Sequence, residues 1–316
     1  LNFISCAWGG GSSFLDITTG KHMRMERTSA ALPEPVTASY AQDGWARFLG
    51  IELDPRNCAQ RLRLAYDTRL LNADGGVIHG GIIATLLLDA ARIEVAASWT
   101  AEAGLTSIRP LDGQIVYLRP AREGDVTASA RLLRAGRTLA FAVSEIHDGQ
   151  GQLVAQGQWV FAHAGTEAPE DVPEVPSLGQ VWNGAADTGR MGALLEANMQ
   201  KRLPGLSLRE MGPGRCVIEA ADIADMRDAG GGLAAGAQLL ACDNVGVFAG
   251  FGLSARITRM STAALKLSFV APVRDESLIV VGRSLGKVGP LISNQSFIYG
   301  RDSGRLYAFG TVTLAT

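Results

Sequence analysis

Apolar positions run almost unbroken from Ile82 through Leu88 and on toward Trp99, interrupted early by the carboxylate of Asp89. The pattern predicts a helix over about 80–99 that is apolar on all sides, which belongs in an interior. A second run of the same kind predicts a helix over about 234–251. Between the two, the pattern changes to a period of two. Val126, Ala128, Ala130 and Leu132 alternate with Thr127, Ser129, Arg131 and Leu133, as in a half-buried antiparallel strand. Strands are expected over 113–118, 125–135, 138–148 and 152–162, with hairpin turns at Ala135-Gly136-Arg137 and Asp148-Gly149-Gln150-Gly151. A short leading helix (38–49) and a strand (60–66) precede the first long helix. A helix at about 190–203 and a strand at 215–220 precede the second. One long buried helix against an antiparallel sheet is an α+β plan.

The chain reads as one unit written twice. Leu-Leu-Leu-Asp89-Ala matches Leu-Ala-Cys-Asp243-Asn, and Tyr-Leu-Arg-Pro120-Ala-Arg matches Phe-Val-Ala-Pro272-Val-Arg. Gly151-Gln-Leu-Val-Ala-Gln-Gly likewise matches Gly304-Arg-Leu-Tyr-Ala-Phe-Gly. The separations are 154 (89 to 243), 152 (120 to 272) and 153 (151 to 304) residues, a near-constant offset that marks an internal repeat. Residues 164–186, acidic and punctuated by proline at their start, read as a linker between units 37–163 and 187–316. Residues 1–36 are expected to be an extension without regular structure. A coherent chain can start at Met23 or Met25, so the first 22 residues are expected to be upstream readthrough.

Composition narrows the function classes. With 47% hydrophobic and 19% charged residues, the 316-residue chain can build a substantial core. A formal net charge of −2 gives no reason to expect nucleic acid or an anionic membrane as partner. Cys6, Cys58, Cys216 and Cys242 form no paired spacing for zinc or a disulfide framework, so free thiols and a cytoplasmic setting are expected. No stretch approaches the roughly 18–20 apolar residues of a membrane helix.

The candidate chemistry sits in Gly76-Val77-Ile78-His79-Gly80-Gly81, where a His-Gly-Gly turn opens the first long helix. Glycines there let a ligand carbonyl approach the free N–H groups of a helix start, where the dipole favours developing negative charge. With a carboxylate nearby, that is equipment for acyl-group chemistry. The same residues also have plain structural readings. Gly80 and Gly81 would permit close packing, and Asp243-Asn244 would be a buried hydrogen-bonded pair. Thr262 would be an ordinary strand residue, and His79 would brace its turn.

The order strand, Val-Ile-His-Gly-Gly, apolar helix with Asp, then Gln114-Ile-Val-Tyr-Leu-Arg-Pro-Ala resembles hotdog-fold acyl-CoA thioesterases of the phenylacetate-pathway type. The similarity covers about residues 37–163. The second half is similar to the tandem-hotdog thioesterase II group, most of all in Ser261-Thr262-Ala-Ala-Leu-Lys-Leu-Ser-Phe-Val-Ala-Pro272. The resemblance implies two hotdog units side by side with acyl-CoA sites at their seam, no metal or redox cofactor, and a pseudo-dimer that acts alone or pairs again into a homo-oligomer. Carried onto this chain, it implies one site made from His79 and Gly80 of the first unit with Asp243 and Thr262 of the second. Asp243 would serve as general base or nucleophile, and Gly81, Arg119 and Arg122 would contact CoA. The opposite site would set Asp89 against the helix start near Ala234, Ala235 and Gly236, where no His exists, so it is expected to be degenerate. Three departures from the family pattern stand out: Leu88 where the acid is usual, Pro110 where a Ser or Thr is usual, and Val312 where thioesterase II members carry Gln. Two other functions fit the resemblance: a non-catalytic acyl-CoA sensor, and a hotdog enoyl-CoA hydratase acting through Asp74 and His79.

Overall fold

The computed structural model describes residues 13–15, 22–24, 31–72, 76–99, 102–165, 176–184, 192, 196, 203, 205–253 and 260–316. The first unit runs α1 (Glu34–Ala41), α2 (Gly44–Leu49), β3 (Ile51–Leu53), β4 (Leu62–Leu64), α3 (Gly80–Trp99), β5 (Ile108–Tyr117), β6 (Val126–Ala135), β7 (Leu139–Asp148) and β8 (Leu153–His163). A one-turn helix α4 (Leu178–Val181) leads to the second unit. This comprises β9 (Leu206–Gly212), β10 (Arg215–Ala220), α5 (Ala235–Phe251), β11 (Ser261–Phe269), β12 (Leu278–Val288), β13 (Leu291–Gly300) and β14 (Leu306–Ala315). Strands β3 to β14 form one antiparallel sheet of 12 strands in the order β3-β4-β6-β7-β8-β5-β11-β14-β13-β12-β10-β9. The second half of that order repeats the first in reverse. The fold is two hotdog units in tandem, each a long helix wrapped by its half of the sheet.

The halves meet where β5 pairs with β11. Gln114 lies opposite Lys266, flanked by Gly113 opposite Leu267 and Ile115 opposite Leu265. The facing pair at the centre is 152 residues apart, so equivalent residues oppose each other there and the pseudo-two-fold axis passes through them. Each joining strand also carries one bulge, between Pro110 and Asp112 and between Thr262 and Ala264, at equivalent positions. A bulge frees one residue from the ladder, which is how proline is tolerated inside β5.

Helix α3 buries every residue from Gly81 to Ile93 because it has no solvent side. Strands β6, β7 and β8 cover one flank and α5 covers the other. The helices approach closely through two glycines. A Cβ on Gly81 would lie 2.5 Å from Leu240 Cα, and one on Gly236 would lie 2.7 Å from Thr85 Cγ2. The helix starts Gly80 and Ala235 are 155 residues apart, and so are the partners Thr85 and Leu240, so these are the same contact made twice.

Several elements differ from the sequence pattern. The leading helix expected at 38–49 is two helices, because the Asp43 carboxylate accepts the Ala46 N–H at 3.0 Å and starts α2 afresh. Regular structure also begins before residue 37. Ser13–Leu15 (β1) and His22–Arg24 (β2) pair antiparallel. Helix α1 starts at Glu34, with Pro35 in its first turn and Val36 and Tyr40 on its buried face. Strand β4 is shorter than expected, and β5 starts at Ile108 because its bulge absorbs Pro110. The edge strands β3 and β9 are additions. The linker region ends in α4, closed by a capping box between Ser177 and Gln180. Tyr299 donates to Pro176 O at 2.7 Å, and Val181 packs with Val217, Ile279 and Val281 on the sheet face turned away from α5. The helix expected at 190–203 falls largely outside the described residues. Cys216 and Cys242 are free and buried, and burial pushes both thiols up. Cys6 and the Cys58 side chain lie outside the described residues. No described helix is long and apolar enough to cross a membrane.

Candidate active site

The start of α3 is capped by its own preceding side chain. His79 O accepts from Ile82 and Ile83 N–H at 3.0 and 3.1 Å, and His79 Nδ1 accepts from Gly81 N–H at 3.1 Å. Gly80 N–H keeps no partner among the described residues, one of the orphan donors a helix start leaves. From β5, the Tyr117 hydroxyl donates to Gly80 O at 2.9 Å and pins the turn. Burial, then the nearby Asp243 charge, raises the Tyr117 phenol well above its usual range, so it stays a donor.

The second unit brings the acid. Asp243, on α5, accepts the Thr262 hydroxyl on Oδ1 at 2.7 Å, and its Oδ2 lies 3.3 Å from His79 Nδ1. A Cβ on Gly80 would be 2.8 Å from that Oδ2, so the carboxylate fits only because residue 80 is glycine. Next to it, Asn244 Oδ1 is 3.2 Å from His79 Nε2, while Asn244 Nδ2 donates to Leu240 O at 3.1 Å. His79, Gly80, Asp243 and Thr262 therefore converge at the seam. They line a cavity of about 810 Å³. Its apolar wall includes Val247, Phe248, Phe251 and Met260, and Arg119 and Arg122 join its lining just after β5. Arg119 donates to Leu153 O at 3.1 Å and is exposed.

Two of the sequence-derived site residues stand elsewhere. Gly81 is consumed by packing on Leu240 and is not part of the cavity lining, which corrects its expected place at CoA. Asp89 does not serve a second helix start. Counting from the two starts, Asp243 corresponds to Leu88 and Asp89 to Asn244. One residue turns a side chain by about 100°, and Asp89 accordingly meets the Tyr40 hydroxyl at 3.2 Å. Arg92, beside it, pairs with Asp43 at 3.2 Å and approaches Asp228 at 4.0 Å. At the second seam Trp45 is buried, donates to Thr85 Oγ1 at 3.3 Å, and would lie 3.0 Å from a Cβ on Gly236. An indole thus sits beside that helix start. Asp74 lies outside the described residues, so its relation to His79 is not described.

Asp89 carries a pH signature. Burial first, then the Asp43 charge, pushes its carboxyl up to about 8, against the pull of Arg92. Between the ordinary carboxylate value of 3.8 and 8, the folded chain holds a proton that the unfolded chain has lost. Its contribution to stability is therefore complete at the acid end and declines as pH rises toward 8. Asp89→Asn is expected to flatten the fall in urea midpoint between pH 5 and pH 8. An unchanged slope would show that the carboxyl is ionised throughout.

Tyr117, Asn244 and Trp45 were not assigned roles from sequence. Tyr117 lies within the Gln-Ile-Val-Tyr-Leu-Arg-Pro run, but only the fold shows that it reaches across to α3. Asn244 was legible as Asp243's neighbour, not as His79's partner.

The Thioesterase superfamily model matches residues 75–155. The medium/long-chain acyl-CoA thioesterase YigI of Salmonella typhimurium is 32% identical over 122 residues, covering 34% of this chain and 78% of that protein. The chain belongs to the thioesterase superfamily. Among solved structures, the TesB protein of Mycobacterium avium subsp. paratuberculosis is similar to this chain with a TM-score of 0.59 at 16% identity, over 89% of this chain and 99% of that one. The acyl-CoA thioesterase II TesB2 of Mycobacterium marinum has a TM-score of 0.55 at 11% identity, over 86% and 97%. At such identities the likeness concerns the fold, and it spans both units. Family membership and these relatives support thioester hydrolysis in general.

Proposed function

We propose that this superfamily member hydrolyses acyl-CoA thioesters at the first seam. The carrying observation is the Asp243 carboxylate of the second unit, seated against the glycine start of α3 and held by Thr262. In this reading the thioester oxygen docks on Gly80 N–H, at the positive end of the α3 dipole. One good donor aimed at the developing oxyanion is worth about 3 kcal/mol of barrier. The Tyr117 bond to Gly80 O and the two bonds to His79 O hold that donor in place. The acyl chain lies along Val247, Phe248 and Phe251, and Arg119 and Arg122 face the CoA phosphates.

Asp243 then takes a proton from water as the water oxygen attacks the carbonyl carbon. Collapse of the tetrahedral species breaks the C–S bond, and the proton leaves with the CoA thiolate. Direct attack by the carboxylate through an anhydride is the competing path. Capture of the acyl group on Asp243 by hydroxylamine, or ¹⁸O from water appearing in Asp243 after a single turnover, identifies the anhydride path, because general-base catalysis gives neither. The function itself is tested by thiol release from a panel of acyl-CoAs. Release lost in Asp243→Asn and kept in Asp89→Asn supports one working seam. Equal loss in both refutes it, and binding without release from any ester replaces the enzyme with a sensor. Thr262→Val is expected to lower kcat roughly ten-fold, the loss of one hydrogen bond to a charged oxygen, as steady-state kinetics would show.

A further inference from the structure

We propose that Asn244 is a positioning residue that sets the tautomer of His79 and thereby arms the first seam; this rests on the thioesterase reading above. The argument is one of donors and acceptors. Asn244 is buried, and its Nδ2 donates to Leu240 O at 3.1 Å, which fixes the amide plane with Oδ1 toward His79. Asn244 Oδ1 only accepts, so His79 Nε2, 3.2 Å away, carries the ring proton. Nδ1 is then left with its lone pair, and that lone pair takes the Gly81 N–H at 3.1 Å.

Two consequences follow at the site. With Gly81 N–H occupied by the ring, Gly80 N–H is the donor left free at the helix start. The atom that His79 turns toward Asp243 Oδ2, 3.3 Å away, is also an acceptor rather than a donor. In the other tautomer, Nδ1–H would point at both the Gly81 N–H and Asp243 Oδ2. It would remove the cap from α3 and tie the carboxylate into a hydrogen bond that weakens it as a base. At the second seam the position equivalent to Asn244 holds Asp89 on α3, and the residue before the start of α5 is Ala234 rather than a histidine, so the described residues build this relay at the first seam alone.

The test uses the full chain labelled with ¹⁵N-histidine, read by NMR without substrate, beside acyl-CoA kinetics. The parent is expected to show His79 protonated at Nε2 and bare at Nδ1. Asn244→Leu, which removes the acceptor, is expected to populate the Nδ1–H form and lower kcat about ten- to a hundred-fold, with KM within about two-fold. Asn244→Asp, which keeps an acceptor at Nε2 but gives up the donor to Leu240 O, is expected to retain the parent tautomer and a kcat between those of the parent and Asn244→Leu. A parent carrying its proton on Nδ1 overturns the proposal, as does an Asn244→Leu protein with parent kcat. If the parent hydrolyses no acyl-CoA, the thioesterase reading fails while the spectra still decide the tautomer assignment.

Discussion

Asp243→Asn is expected to lower kcat for acyl-CoA hydrolysis by about a thousand-fold while leaving the melting behaviour close to that of the parent. The size follows from what the carboxylate is asked to do: general base catalysis contributes about a hundred- to ten-thousand-fold, and no other described Asp or Glu side chain joins the cavity lining. The fold should survive because the change is nearly isosteric. An asparagine can still accept from Thr262, and its amide can donate to His79 Nδ1, where the carboxylate oxygen now stands. Thiol release within ten-fold of the parent would remove Asp243 from the chemistry.

Gly81→Ala carries the largest expected cost to stability, about 3 kcal/mol, at the upper end for overpacking a core. Its Cβ would come within 2.5 Å of Leu240 Cα and 2.6 Å of Leu240 Cδ1. A side-chain tip could swing aside, but a backbone atom of the partner helix cannot move without shifting α5. Because α5 carries Asp243, the substitution should lower both the urea midpoint and kcat. Gly80→Ala makes the instructive contrast. Its nearest obstacle is the Asp243 side chain itself, at 2.8 Å, so activity should suffer far more than stability. If Gly81→Ala melts like the parent, the close contact of α3 with α5 does not limit stability.

Much of this architecture is legible in the sequence. The two apolar helices had no polar face to offer solvent, so burial followed. The pairing of Gln114 with Lys266 carries the same 152-residue offset as Pro120 and Pro272, because equivalent strands that join across an axis place equivalent residues opposite one another. The Gly80–Asp243 approach came from the resemblance and is present in the geometry. What escaped was set by rotation and by contacts across the seam. The displacement of Asp89 by one residue, with Leu88 at the acid's usual position, is legible in the sequence, but its contact with Tyr40 is not. The break at Asp43 is a choice between continuing a helix and capping a new one, which propensity alone does not settle. Asn244 could not be linked to His79, 165 positions away, until the helices were packed.

The shared sheet has a genetic consequence. In a homodimer built from separate identical chains, every substitution is copied into both seams, and losing an acid at one means losing it at the other. Covalent fusion removes that constraint. Leu88 and Trp45 can stand at one interface while Gly80 and Asp243, encoded far apart along the same strand of message, meet at the other.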